Sequence, residues 1–264
     1  MNLTPEALFG LSGKIAVVTG ATGRLGRVMA RTLATAGAQV WLVGRDSSTL
    51  DALTEELLAD GLSAVSARCD VTNPDDVQAL GLALSVGPGR VDVLVHNAHV
   101  GRGGTLATAR TEDFAQAADL ALAAFQRLLA ATRDLLVRAA ADSSPAVITV
   151  SSMYGLVSPR PSLYASPEQV NPPYYGAVKA GLLQLTRYAA VELAPQGVRV
   201  NALTPGAFPG GGDPEFLQAL GEHSPLGRVG SPEEIATALL FLASPRSSYT
   251  TGANVVVDGG WTAW

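Results

Sequence analysis

This chain of 264 residues has one cysteine, Cys69, so no disulfide can form within it. The thiol is expected to pack as a small buried apolar group. Lysine is nearly as scarce: of the 18 basic residues only Lys14 and Lys179 are lysines, and the rest are arginines. Histidine occurs three times, as His96, His99 and His223. There is no excess of positive charge, since 18 basic against 23 acidic residues give a net charge of -5. A nucleic-acid footprint needs a basic face, so no nucleic-acid partner is expected. No apolar run reaches the roughly 18 residues that would suggest a bilayer span, so no membrane partner is expected either. The opening MNLTPEALFGLSGK lacks the basic-then-apolar run of a secretion signal, which together with the single cysteine gives the cytoplasm as the expected location. No metal ligand set is expected. Linkers and internal repeats are also missing, and residues 1–264 are read as one unit.

At 47% hydrophobic and 16% charged residues the chain can fill a large core. Short runs rich in valine and isoleucine predict strands at Ile15–Val18, Gln39–Val43, Ala64–Ala67, Val91–Val95, Val147–Val150, Val198–Leu203 and Asn254–Val257. These runs are almost continuously apolar, as strands are when both faces of a sheet are covered. Helix signals alternate with them. Asn73-Pro74 reads as an N-cap with proline at the first helical position, Ser231-Pro-Glu-Glu234 as a capping box, and Phe114 to Ala141 as one long alanine-rich helix. The alternation predicts an α/β fold, a Rossmann-type, doubly wound, parallel seven-stranded sheet flanked by helices. Ligands in such sheets lie at the carboxyl ends of the strands, so the loops there are the ones to read for chemistry.

After the first strand comes Thr19-Gly20-Ala21-Thr22-Gly23-Arg24-Leu25-Gly26. Glycines at 20, 23 and 26 allow a tight turn that brings backbone N–H groups and a helix N-terminus against a pyrophosphate. The acidic residue that would hold a ribose 2′-OH at the end of the second strand is missing; Gly44 stands there, followed by Arg45. Arg45 and Arg24 favour a 2′-phosphate, hence NADP(H) over NAD(H), with Asp46 placed where it could still reach the ribose. The third strand ends in Cys69-Asp70-Val71-Thr72, where Asp70 is suited to the adenine amino group or to capping the next helix. Tyr175 and Lys179 are four apart on one helix face, and an ammonium beside a phenol lowers the phenol's pKa towards neutrality. A lysine kept in an arginine-biased chain fits a task that needs a compact ammonium.

With these residues in place the chain from Lys14 to Trp264 resembles the short-chain dehydrogenase/reductase family. The resemblance rests on Thr19–Gly26, on His96-Asn97-Ala98-His99 where the family has NNAG, on Ser152, on Tyr175/Lys179 as YxxxK, and on Pro205-Gly206. It implies that Tyr175 is the general acid/base, that Ser152 polarises a carbonyl and that Lys179 holds the nicotinamide ribose. It further implies a cofactor site of Gly20, Thr22, Gly23, Arg24, Leu25, Gly26, Arg45, Asp70, Val71, Asn97, Ala98, Pro205, Gly206 and Phe208 besides that pair. The Ser151-Ser-Met-Tyr154-Gly and Asp258-Gly-Gly-Trp stretches resemble the branch acting on sugars and polyols. A ketoreductase or alcohol dehydrogenase acting on a small polar molecule is therefore expected, assembled as a dimer or tetramer. An epimerase or dehydratase using transient oxidation, and a redox-inactive cofactor-binding scaffold, stay open as alternatives.

Four features depart from the family. The glycine spacing resembles its extended branch although the length is that of the classical one. The family's catalytic asparagine aligns with Ala121, and no asparagine occurs between Asn97 and Asn171. HNAH replaces NNAG, which makes His99 a candidate for substrate contact. The proline-rich stretch 153–173 is long, and it makes Met153, Tyr154 and Tyr164 candidates for a substrate loop, with 207–230 as a lid.

Overall fold

The sheet has seven strands: β1 Ile15–Thr19, β2 Gln39–Gly44, β3 Ala64–Arg68, β4 Val93–His96, β5 Ala146–Val150, β6 Arg199–Pro205 and β7 Asn254–Val257. All pair in parallel, in the order β3-β2-β1-β4-β5-β6-β7. This computed structural model describes residues 3–99 and 103–264. Nine α-helices stand among the described residues: α1 Pro5–Phe9, α2 Arg24–Thr35, α3 Ser47–Ala59, α4 Pro74–Val86, α5 Thr111–Ala118, α6 Ala124–Ala139, α7 Pro173–Leu193, α8 Pro214–Glu222 and α9 Ala236–Ala243.

The apolar runs end up buried on both faces. Every residue of β4, β5 and β6 is buried. On one face Val18, Val40, Leu42 and Ile148 pack with α2, α3 and α9 through Met29, Leu33, Leu53 and Leu239. On the other face Val17, Leu94 and Val147 pack with α4, α6 and α7 through Leu80, Leu84, Phe125, Leu128 and Leu182. Each fully buried aliphatic or aromatic side chain contributes about 1.5–3 kcal/mol by leaving water. The two helix layers thus hold the sheet from both sides, as right-handed βαβ crossovers require. The strand order reverses between β1 and β4, and a crevice opens at their carboxyl ends.

The expected elements are found, with three corrections. β4 starts at Val93, two residues late, because Val91 donates its N–H to the Leu135 carbonyl and Asp92 spends its carboxylate on Ile15 N–H and Arg90. At Ser231 only half of the capping box forms: Glu234 accepts from the Ser231 N–H at 2.8 Å, while the Ser231 hydroxyl donates to Glu233. The helix expected from Phe114 to Ala141 runs from Thr111 to Ala139 and is widened in the middle by a π turn, Asp119–Ala123. Its Ala121 carbonyl faces His96 Nε2 at 3.1 Å. Among the described residues no helix is long and apolar enough to cross a membrane.

Candidate active site

The glycine turn is built by backbone constraint. Gly20 has a φ of 61°, a conformation open to glycine and costly for other residues. Gly26 lies so close beneath it that a Cβ would stand 2.0 Å from the Gly20 carbonyl oxygen. The first turn of α2 is thereby drawn under the loop, with Gly23 as N-cap and no side chain occupying the free N–H groups. Those N–H groups face an open cradle, which is what a pyrophosphate needs. Gly26→Ala is expected to push the turn apart and weaken nicotinamide-dinucleotide binding by at least about tenfold, or about 1.4 kcal/mol. A fluorescence titration checks this, and unchanged affinity would contradict the close-approach argument.

The floor beside the cradle is tied to it. Asn97 donates from its side-chain amide to the carbonyls of Thr19 and Gly20 at 3.1 and 3.2 Å. The N–H groups of Asn97 and Ala98 donate in turn to Thr19 Oγ1. The end of β4 is thus pinned to the end of β1 at the crevice.

A cleft of about 790 Å³ runs along these strand ends. All sixteen residues expected to bind cofactor line it, from Gly20 to Phe208, and so do Ser152 and His99. Arg24 and Arg45 are exposed along the cleft, with no hydrogen bond or ion pair between either of them and the described residues. Asp46 is spent elsewhere. It caps α3, accepting from the Thr49 N–H at 2.8 Å and from Ser48 Oγ, and these hydrogen bonds hold its carboxyl below the usual value. Asp70 accepts from Thr72 twice, at 2.9 and 2.7 Å, and the cap of α4 is Asn73, so Asp70 is not the helix cap that the sequence allowed.

The three residues expected to carry the chemistry line the same cleft. Ser152 stands two residues beyond β5 and caps a short 3₁₀ turn, its Oγ accepting from the Tyr154 N–H at 3.2 Å. Tyr175 and Lys179 face the cleft one turn apart on α7, with the ammonium 5.7 Å from the ring centroid. Lys179 is 3% exposed, and its Nζ donates to the Val150 carbonyl at 2.7 Å. Burial without a counter-charge pulls its pKa down to about 8. The expectation that Lys179 lowers the Tyr175 pKa is corrected here: burial is the largest influence and raises the phenol above its ordinary value, with a hydrogen bond to Ser152 pulling the other way. A buried phenolate lacks the solvation that the distant ammonium does not replace.

His99 is exposed at the mouth, with its ring edge-on to Tyr175 at 6.3 Å between centroids. Loss of hydration lowers its pKa, and the nearby charge of Lys179 lowers it further. Met153, Tyr154 and Tyr164, expected to face substrate, do not line this cleft. They pack with Leu163, Phe216, Leu220 and Trp261, where the proline-rich stretch folds back, and the Tyr154 and Tyr164 hydroxyls hydrogen-bond at 2.9 Å. The aromatic side chains hold that stretch onto α8 and the C-terminal turn instead.

Sequence reasoning missed Gln116, Asp119 and Leu120, which form one wall of the cleft. Their spacing of three and four on a helix facing the crevice was the available signal.

The comparisons with known proteins agree with this geometry. Residues 20–262 match the family model described as enoyl-(acyl carrier protein) reductase. The chain belongs to the short-chain dehydrogenase/reductase family. It is therefore an oxidoreductase of that family. It is 36% identical to galactitol 2-dehydrogenase (L-tagatose-forming) of Cereibacter sphaeroides, over 98% of this chain and 99% of that protein. It is 35% identical to a 3-oxoacyl-[acyl-carrier-protein] reductase of Synechocystis, over 95% and 97%. Among solved structures, L-sorbose reductase from Gluconobacter frateurii, complexed with NADPH and L-sorbose, superposes with a TM-score of 0.85 at 29% identity, covering 97% of this chain and 99% of that one.

Proposed function

We propose that this enzyme is an NADPH-dependent ketoreductase acting on a small polar, sugar-like carbonyl compound. The observation that carries the cofactor choice is the pair of guanidiniums, Arg24 and Arg45, which line the cleft without a hydrogen bond or ion pair to the described residues, while Asp46 is occupied as a helix cap. The cradle fits the pyrophosphate: Gly20–Gly26 would hold it, Asp70 and Val71 the adenine, Lys179 the nicotinamide ribose and Pro205–Phe208 the carboxamide side. When bound, the cofactor supplies the hydride. The chain's own groups do the rest.

Tyr175 stays protonated at neutral pH because burial raises its pKa, so it is poised as a proton donor to a developing alkoxide. That favours the reductive direction. Ser152, close enough to Tyr175 to lower its pKa, presents its own Oγ to the same oxygen of the substrate. Neutral His99 at the mouth spends its ring N–H on the Asn97 backbone and offers its other ring nitrogen as an acceptor to substrate hydroxyls. The segment 207–230 forms the lid, as its placement of Phe208 and Gly210 along the cleft supports. Sugar and polyol relatives support the substrate class. The chain is expected to work as a dimer or tetramer in the cytoplasm.

Arg45→Asp combined with Arg24→Ala tests the cofactor choice. Each arginine is exposed, so roughly tenfold in NADPH affinity per residue is expected, at the low end for a charge-assisted hydrogen bond. NADH affinity should hardly change. A wild-type enzyme that prefers NADH in the same titration would overturn the NADPH reading.

A further inference from the structure

The π turn Asp119–Ala123 interrupts an otherwise regular helix beside the cleft. A π turn inside a helix is rarely free of cost, and such turns concentrate at functional sites. Here it carries Asp119 and Leu120 into the cleft wall, with Gln116 one turn before them. Two side chains hold it, one from later in the same helix and one from β4. On the outer side Arg127 pairs with Asp119 and also donates to the Thr72 carbonyl at 3.3 Å, joining the wall to the loop after β3. On the inner side the Ala121 carbonyl meets His96 Nε2, at 3.1 Å. Residue 121 has no side-chain polar group, so the backbone carbonyl is all that a partner can read there.

His96 is the last residue of β4, is 1% exposed, and immediately precedes the Asn97 that pins the glycine turn. A carbonyl can only accept, so His96 must carry its proton on Nε2. Nδ1 is then a bare acceptor, buried and with no hydrogen-bond partner among the described residues. Burial and the charge of Lys179 both oppose protonation of the ring, so it stays neutral. A ring that leaves one nitrogen unsatisfied is a poor choice for packing alone, since a leucine would fill the space without an orphaned acceptor.

We propose that His96 is a positioning residue: its Nε2–H holds the Ala121 carbonyl, sets the π turn and thereby fixes the Gln116–Asp119–Leu120 wall of the cofactor cleft. The floor and the wall of the cleft then meet in one β4 segment, His96 fixing the wall and Asn97 the floor. The purpose assigned to the wall rests on the dinucleotide reading of the cleft.

Two measurements test it. The chain has three histidines, so ¹⁵N-histidine NMR resolves each one. The wild-type His96 signal should show the Nε2–H tautomer, unchanged from pH 6 to pH 8. An Nδ1–H tautomer, or a ring that titrates in that range, overturns the anchor. The second measurement is NADPH and NADH affinity for His96→Leu, His96→Gln and His96→Asn. Glutamine places an amide N–H at the reach of Nε2, and asparagine only at that of Nδ1. The leucine and asparagine variants should bind the preferred cofactor at least tenfold more weakly, and glutamine should restore most of the loss. Equal affinity across the series, or equal loss in all three, overturns the proposal. Wild-type protein that binds neither cofactor overturns the dinucleotide reading instead, and the tautomer still decides the anchor.

Discussion

Replacing Tyr175 with phenylalanine is expected to lower turnover by about 10²- to 10⁴-fold, the range that one positioned proton donor contributes. Cofactor binding should stay nearly intact, because the ring keeps its place on α7 and only the hydroxyl is lost. The argument is geometric before it is electrostatic. Ser152 comes from the turn after β5, Tyr175 and Lys179 from α7, and each lines the same cleft. The hydroxyl that phenylalanine lacks is the one whose pKa Ser152 pulls down. The pH dependence separates the roles. The phenol's pKa is raised, so the donor stays protonated through the neutral range and gives no acid limb near pH 7. A steady-state assay with a ketose and NADPH, alongside a cofactor titration, checks both halves. Activity within a few-fold of wild type would remove Tyr175 from the chemistry, while lost cofactor binding would assign it a structural role.

Much of this site was legible before the fold was seen, because it depends on backbone requirements that few residues meet. Gly20 and Gly26 mark a turn that only glycine builds, and Tyr175 with Lys179 mark a helix face four residues apart. What was not legible has a common physical cause: it depends on contacts between segments distant in sequence. Alanine repeats from Phe114 onward favour an unbroken α-helix by propensity, and the π turn arises with an external partner, His96, at its Ala121 carbonyl. The same limit explains Tyr154 and Tyr164. Their loop was visible in the prolines, but only the position of Trp261 and Phe216 turns the rings inward. Asp46 is the converse case. A carboxylate one residue beyond a strand end is ambiguous in sequence, and the hydrogen bonds from Thr49 and Ser48 resolve it as a cap.

Lys179→Met is expected to make the protein more stable and inactive at once. Lys179 has a pKa of about 8 in the folded chain against 10.5 for an unburied lysine, with burial as the cause. The folded pKa is the lower one, so the unfolded chain binds the proton more tightly and the buried charge costs stability. That cost is complete below about pH 8, shrinks as pH rises from about 8 to 10.5, and is gone above it. At 1.36 kcal/mol per unit the shift amounts to about 3 kcal/mol at neutral pH. Methionine fills nearly the same volume, and the lost hydrogen bond to the Val150 carbonyl takes back about 1 kcal/mol. A net gain of about 2 kcal/mol remains, several degrees in Tm for a chain of this size. Calorimetry at pH 7 and at pH 10 checks it, since the gain must shrink at the higher pH. In the active enzyme kcat/KM, which reports the free protein, should fall as pH rises through about 8, where Lys179 gives up its proton. A methionine variant less stable than wild type at pH 7 would show that the ammonium is held by more than it costs. A more stable, inactive one would show that the fold carries this charge for the sake of the cleft.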